Sequence, residues 1–309
     1  MSTYAKPSTT ESGQLRALIS RLWRNQWLRA FLFALAILLL LHAFVLRLVT
    51  VQSTSMFATL RPGDLLLVQR WAKWTGYARG DIVVFRDPLK DRDPMWRRPL
   101  LVKRIAALPG DKLEIRRGNL FINGSRVPDP DGLTRSHLIR FREGADATAA
   151  LQRHGIPALA GMPGRNNMEA PLTNALRSEL EADTAVVSVS PMRLASGGRM
   201  HIFPFSPRYA WNGDDYGPIV IPKKGDTLRL NVDNLPLYDR LMSTYEGHRL
   251  SNSGEQLLID GLPLMEYTVE QDYCFVLGDS RHFSADSRYW GFLPLDHVIG
   301  RASVLHRAN

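Results

Sequence analysis

The chain has 309 residues, 45% apolar and 22% charged, a composition that excludes a disordered or fibrous polypeptide and suffices for a core without covalent staples. Its 39 basic residues against 30 acidic ones give +9, an excess suited to nucleic acid or to an anionic membrane surface. Cys274 is the single cysteine, which excludes an internal disulfide and every multi-cysteine metal cage and says nothing about compartment.

In chain order, residues 1–29 come first as a basic leader. Leu15, Leu18, Ile19, Leu22 and Trp23 recur at helical spacing with Arg16, Arg21 and Arg24 between them. That pattern fits either an amphipathic helix on the inner leaflet or a solvated charge cluster that only sets topology. Residues 30–51 are then almost uninterruptedly apolar (AFLFALAILLLLHAFVL, then Arg47, then LVTV) and reach the roughly 20 residues a spanning helix needs. The run is longer than the apolar part of a cleavable leader and has no good small-residue cleavage site after it, so the sequence predicts a retained anchor. His42 is expected to be neutral within it, and Arg47 to snorkel toward the far headgroups. Lys6, Arg16, Arg21, Arg24 and Arg29 precede the run against Glu11 alone, which places the N-terminus in the cytoplasm and the rest of the chain outside.

After the anchor the sequence reads as β, with strands predicted over 64–71, 81–85, 100–108, 112–116, 119–122, 185–189, 200–205, 219–221, 227–232, 256–259, 273–277 and 297–306. Gly-Asp precedes four of them, at Gly63-Asp64, Gly80-Asp81, Gly110-Asp111 and Gly225-Asp226; glycine permits the turn and aspartate bonds back to the backbone. A faint echo links residues 108–124 with 222–261, read as reuse of one β-ribbon pattern. Between the copies, residues 128–210 look like an insertion with helical patches near 145–153 and 173–181, and a better helix is predicted over 235–245.

Zinc, P-loop, Gly-x-Ser-x-Gly and Ser-x-x-Lys templates are absent. Three dense segments remain. In Ser53-Thr54-Ser55-Met56-Phe57, just past the apolar run, a serine is placed to act as a nucleophile or to be part of a juxtamembrane loop. Lys103 interrupts a strand and by alternation shares a side with Leu101 and Ile105; burial there lowers an amine's pKa, whereas an edge-strand lysine would simply snorkel. The loop Gly278 to Phe292 packs polar and ionisable residues among aromatics, a density that must be mutually satisfied.

Together these segments resemble the type I signal peptidases, membrane-anchored serine proteases. The resemblance rests on Ser-x-Ser-Met-x-x-Thr-Leu, on Tyr77-Ala-Arg-Gly-Asp-Ile-Val-Val-Phe85, on Lys103-Arg104 with Pro109-Gly110-Asp111, and on Gly278-Asp-Ser-Arg with Ser284-x-Asp286-Ser287-Arg288, in that order. It implies a mostly β fold: an antiparallel catalytic domain over 52–127 and 211–309, an inserted smaller α+β subdomain over 128–210, and one N-terminal transmembrane helix over 30–51. Ser55 then matches the nucleophile, Lys103 the general base, Ser53 an oxyanion donor and Ser284 the hydroxyl that orients the amine. Asp286 and Arg288 look like a supporting ion pair, with Asp279 and Arg281 in the same shell.

The resemblance implies no cofactor and no metal. As partners it implies exported precursors with signal peptides, the lipid bilayer and, as a further option, the secretion translocase, with no nucleic acid. It also implies a bacterial inner-membrane location, N-terminus cytoplasmic and catalytic domain periplasmic. Ala58 stands where many members have proline, which predicts a less rigid turn. His282 is assigned a supporting or surface place, with a Ser55–His282 pair as the lesser reading. Met56, Phe57 and Trp290 are expected either to dip into lipid or to be core. The competing readings are a catalytically silent, membrane-anchored binding protein and a Ser-Lys self-cleaving protein of the LexA-like kind.

Overall fold

The structure is a computed structural model that describes residues 25–40, 45–156, 166–195, 197, 201–253 and 256–308. Most of the basic leader, residues 1–24, lies outside the described residues, as does His42. The chain divides into two compact units. In the first, Met1–Arg47, a helix runs over Gln26–Leu40. The Asn25 side chain accepts the backbone N–H of Trp27 at 3.0 Å and so caps its start. Among the described residues no helix is long and apolar enough to cross a membrane.

The expectation of one helix over 30–51 is corrected at its far end, where Leu46–Thr50 is a strand, β1. Val49 and Thr50 are β-branched and favour extended backbone, and Val49 packs on the cluster of Val51, Met56 and Leu66. Further strands follow in chain order: β2 (Leu65–Gln69), β3 (Ile82–Arg86), β4 (Leu100–Ala107), β5 (Lys112–Arg116), β6 (Asn119–Ile122), β7 (Ser125–Arg126), β8 (Arg135–Phe141), β9 (Asn167–Leu172) and β10 (Val186–Pro191). After them come β11 (Tyr216–Val220), β12 (Thr227–Arg229), β13 (Leu250–Ser253), β14 (Gln256–Ile259), β15 (Leu262–Pro263), β16 (Glu266–Thr268), β17 (Tyr273–Leu277), β18 (Leu293–Pro294) and β19 (Val298–His306).

The main sheet has seven strands in the order β1-β2-β19-β3-β4-β17-β18. Its registered pairs are antiparallel. Strand β17 is buried throughout and divides two cores by its period of two. Tyr273, Phe275 and Leu277 face a cluster with Leu113, Ile115 and Phe292, while Cys274 and Val276 face one with Val83, Phe85, Ile105 and Trp290. A four-stranded sheet, β11-β5-β6-β7, and the smaller β12-β16 and β13-β14-β15 sheets complete this β body.

The Gly-Asp strand entrances share one geometry. Each glycine has a φ near +90°, and Asp64, Asp81, Asp111 and Asp226 each accept the backbone N–H three residues earlier, at 2.8–3.1 Å. The internal echo is structural as well: Asn123-Gly124 and Asp260-Gly261 both turn with two positive φ values, the requirement of a tight hairpin.

Residues 135–191 form their own three-stranded sheet, β10-β8-β9, packed with helices Ala147–Arg153 and Asn174–Glu181 around Ile139, Leu151, Ala170 and Leu180. The helices match the expected patches; β8 and β9 were not anticipated. Arg135, His137 and Arg140 disguise the inward Ile139 and Phe141 of β8, and Pro171 reads as a strand breaker although β9 lies at the sheet edge, where proline is tolerated. The strand expected over 200–205 is instead a set of turns over 201–205, where Pro204 offers no N–H to a ladder and Phe203 meets Phe292 edge-on at 5.8 Å. Met56, Phe57 and Trp290 are 1–3% exposed and belong to the core.

Leu151→Ala, which empties part of the inserted core, is expected to cost about 2–5 kcal/mol. Hydrogen exchange should then rise in β8, β9 and β10 while β17 keeps its protection; equal loss in β17 would mean that the two cores open as one.

Candidate active site

Ser55 sits in the turn region between β1 and β2, with its carbonyl accepting the N–H of Ser280 at 3.0 Å. The loop that follows β17 is thereby held to the backbone of Ser55. Lys103 lies on β4, opposite Val83 of β3, and only 3% of it is exposed. The β4–β17 ladder ends at Arg104 opposite Leu277, and the next residues beyond that end are Lys103 on β4 and Gly278 after β17. The Lys103 amine donates to Ser55 Oγ at 2.6 Å and to the Val102 carbonyl at 3.1 Å. Burial pulls its pKa from 10.5 down to about 8, and the charges of Asp286, Asp87 and Asp279 pull the other way without restoring it. Ser53 Oγ lies 3.2 Å from Ser55 Oγ.

Ser284 is 3% exposed, and its Oγ is buried with no hydrogen-bond partner. Its approach depends on Gly278: a Cβ there would lie 2.1 Å from Ser284 Oγ and 2.6 Å from the Ser55 carbonyl oxygen. Ala58 has a φ of +69°, so the turn after Ser55 is left-handed at a place where proline, fixed near −65°, does not fit. This turn is therefore differently built from a proline turn, beyond any loss of rigidity.

The supporting charges form two arginine–aspartate pairs. Asp286 and Arg288 do form a buried bidentate pair, at 2.9 and 2.8 Å, and Asp286 also accepts the Gly278 N–H at 3.0 Å. Asp279 binds Arg104 at 2.9 and 2.6 Å and the Thr59 hydroxyl at 2.5 Å, and Arg281 makes no ion pair among the described residues. Arg104 and Thr59 were visible within the motifs, but nothing in the linear spacing revealed their shared partner.

His282 hydrogen-bonds to neither Ser55 nor Lys103. Its Nδ1 accepts the Ser136 N–H at 3.1 Å, so Nε2 carries the proton and donates to Asp214 at 2.9 Å. It joins the loop after β17 to β8 and to residue 214. No group of three or more His, Cys, Asp or Glu among the described residues is placed to hold a metal ion.

A buried amine donating to a serine hydroxyl, with a further hydroxyl 3.2 Å from it, is an arrangement that can activate the serine as a nucleophile. The family model of signal peptidase, peptidase S26, matches residues 24–157 and 201–306, and the chain belongs to that family. A signal peptidase I P from Bacillus subtilis subsp. natto is 39% identical over 101 residues, covering 32% of this chain and 51% of that protein. Signal peptidase I from Bacillus licheniformis is 34% identical over 106 residues, 34% of this chain and 53% of that protein, so the chain spans about half the length of these relatives. Signal peptidase I from Buchnera aphidicola subsp. Schizaphis graminum aligns more broadly at 22% identity, over 282 residues, 87% of this chain and 70% of that protein.

A lysine whose folded pKa is lowered is fully protonated in both states below about pH 8, where the cost of burying its charge is complete. Between about 8 and 10.5 the unfolded chain binds the extra proton, so stability rises with pH. Relative to Lys103→Met, which lacks this titration, the protein should gain about 3 kcal/mol over that window in denaturant melts. Parallel curves for the two proteins would place the amine in water.

Proposed function

We propose that this protein is a membrane-anchored endopeptidase that removes signal peptides from exported precursors. The observation that carries the reading is the 2.6 Å contact between the buried Lys103 amine and Ser55 Oγ. The neutral amine takes the Ser55 proton as Oγ attacks the scissile carbonyl, and the resulting ammonium gives that proton to the departing amine. Water, deprotonated by the same amine, then hydrolyses the acyl ester and frees Ser55. The Ser55 N–H and the Ser53 hydroxyl stabilise the tetrahedral oxyanion. Ser284, whose buried hydroxyl has no hydrogen-bond partner at rest, turns to the amine and orients it during the reaction. The Asp286–Arg288 and Asp279–Arg104 pairs hold the loop that carries Ser284.

The proposed substrate is an extended segment with small side chains at the first and third positions before the cut, the Ala-x-Ala signal of secretory precursors. Pairing of that segment with a sheet edge accounts for the period of two, since alternate side chains enter pockets. The apolar stretch from residue 30 anchors the chain in the bacterial cytoplasmic membrane, with the basic leader in the cytoplasm and the β body outside. The bilayer and the secretion translocase complete the set of proposed partners.

The test is cleavage of an Ala-x-Ala precursor by the purified full chain in detergent. Ser55→Ala and Lys103→Ala should each lower turnover by at least roughly 10²–10⁴-fold, the range of general-base catalysis. The rate of the unaltered protein should climb with pH through about 8 as the amine deprotonates. Turnover kept in Lys103→Ala but lost in His282→Ala would transfer the base role to the histidine and overturn this mechanism.

A further inference from the structure

Arg281 belongs to the same loop as Ser284 but is the odd charge within it. The residue is 7% exposed, its Nε is buried without a hydrogen-bond partner, and it makes no ion pair with any described carboxylate. Its neighbouring acids are already taken. Both oxygens of Asp279 serve Arg104, and one also serves Thr59; both oxygens of Asp286 serve Arg288, and one also serves the Gly278 N–H. Three guanidinium groups thus share two carboxylates, and the Arg281 charge is left without a bonded carboxylate. Burial, together with the charge of Arg288, drags the Arg281 pKa down to about 10. A buried cation in this state lacks a directly bonded carboxylate, although Asp279 and Asp286 act on it through space.

The Arg281 side chain lines a cavity of about 240 Å³. Met192, Leu194 and Ile202 form apolar wall, and Arg193 and Arg288 bring further guanidinium groups. The one carboxylate in the lining, Glu169, has an oxygen occupied by the Ser136 hydroxyl. The space holds roughly eight waters at ~30 Å³ each, which suits one small acid group. We infer that this cavity is an oxyanion site, in which Arg281, assisted by Arg193, supplies charge-assisted donors to a phosphate or carboxylate group. The occupant would touch the inserted subdomain, through Ser136 and Met192, and the loop bearing Ser284 at once. The backbone supports that link: Arg281 N–H donates to the Thr134 carbonyl at 3.0 Å, and the Arg281 carbonyl accepts from Arg288 at 2.5 Å.

The experiment is thermal unfolding of the full chain in neutral detergent, with chloride replaced by inorganic phosphate or acetate at constant ionic strength. The midpoint should rise by several degrees and saturate with either ion, because a ligand bound only to the folded state adds stability by mass action. Arg281→Gln should abolish the rise and Arg281→Lys should keep part of it. Should Arg281→Gln fail to fold, Arg193→Gln at the exposed rim reads the same site, with half-saturation moved about 10-fold upward, one lost charge-assisted contact. A second arm replaces the ions with phosphatidylglycerol or phosphatidylcholine vesicles: a rise with phosphatidylglycerol alone assigns the oxyanion to a lipid headgroup, a rise with free phosphate to a soluble ion. No rise in either arm, or a rise unchanged in both Arg281→Gln and Arg193→Gln, overturns the site.

Discussion

Taking an ammonium out of water costs several kcal/mol even after the protein relaxes, so an amine held at position 103 forces a choice on its surroundings. They must either supply enough negative charge to keep it protonated or let its proton go. Here burial outweighs the negative charge. Burial among the strands that carry Val83 and Ile105 drives the pKa down, and the carboxylates of Asp286, Asp87 and Asp279 limit the fall to about 8. Those carboxylates must stay ionised to do this. Burial pushes Asp286 up, but the Arg288 guanidinium outweighs it and holds the carboxyl below its ordinary range. The arginine pairs around the loop therefore act on the amine at one remove, by fixing the charge it feels.

The same constraint accounts for how closely the backbone is packed. Ser55 and Lys103 come from chain segments 48 residues apart, and the loop after β17 is clamped to both. The Ser280 N–H reaches the Ser55 carbonyl, Asp279 spans Arg104 and Thr59, and Gly278 leaves no room for a side chain between Ser55 and Ser284. On its other side, His282 and the Thr134–Ser280 bridge bind the loop to the inserted subdomain. A change in that subdomain accordingly has a path of hydrogen bonds to the serine.

Much of this was legible in the sequence, and the parts that were not share physical reasons. Short alternating strands, Gly-Asp turns and the Ser55, Lys103 and Ser284 segments stand out because each is a local pattern. In sequence Leu46–Thr50 reads as membrane helix, because an apolar run carries no mark of whether lipid or a sheet will cover it. Strands β8 and β9 were hidden by surface arginines and by Pro171, whose edge position is a tertiary fact. The partner of Asp279 was missed for the same reason: Arg104 is 175 residues away, and only the β4–β17 register brings it near. The lack of a bonded carboxylate at Arg281 is likewise a tertiary fact, since both neighbouring acids bind other arginines.

The most direct measurement is the titration of the Lys103 side chain itself, followed by NMR on protein labelled with ¹³C at lysine Cε and assigned by the signal missing in Lys103→Met. An amine enclosed beside the Ser55 hydroxyl titrates with a midpoint near 8. A midpoint at the ordinary 10.5 would mean that water reaches the ammonium at working pH, and the proton-accepting role built on this contact would be contradicted.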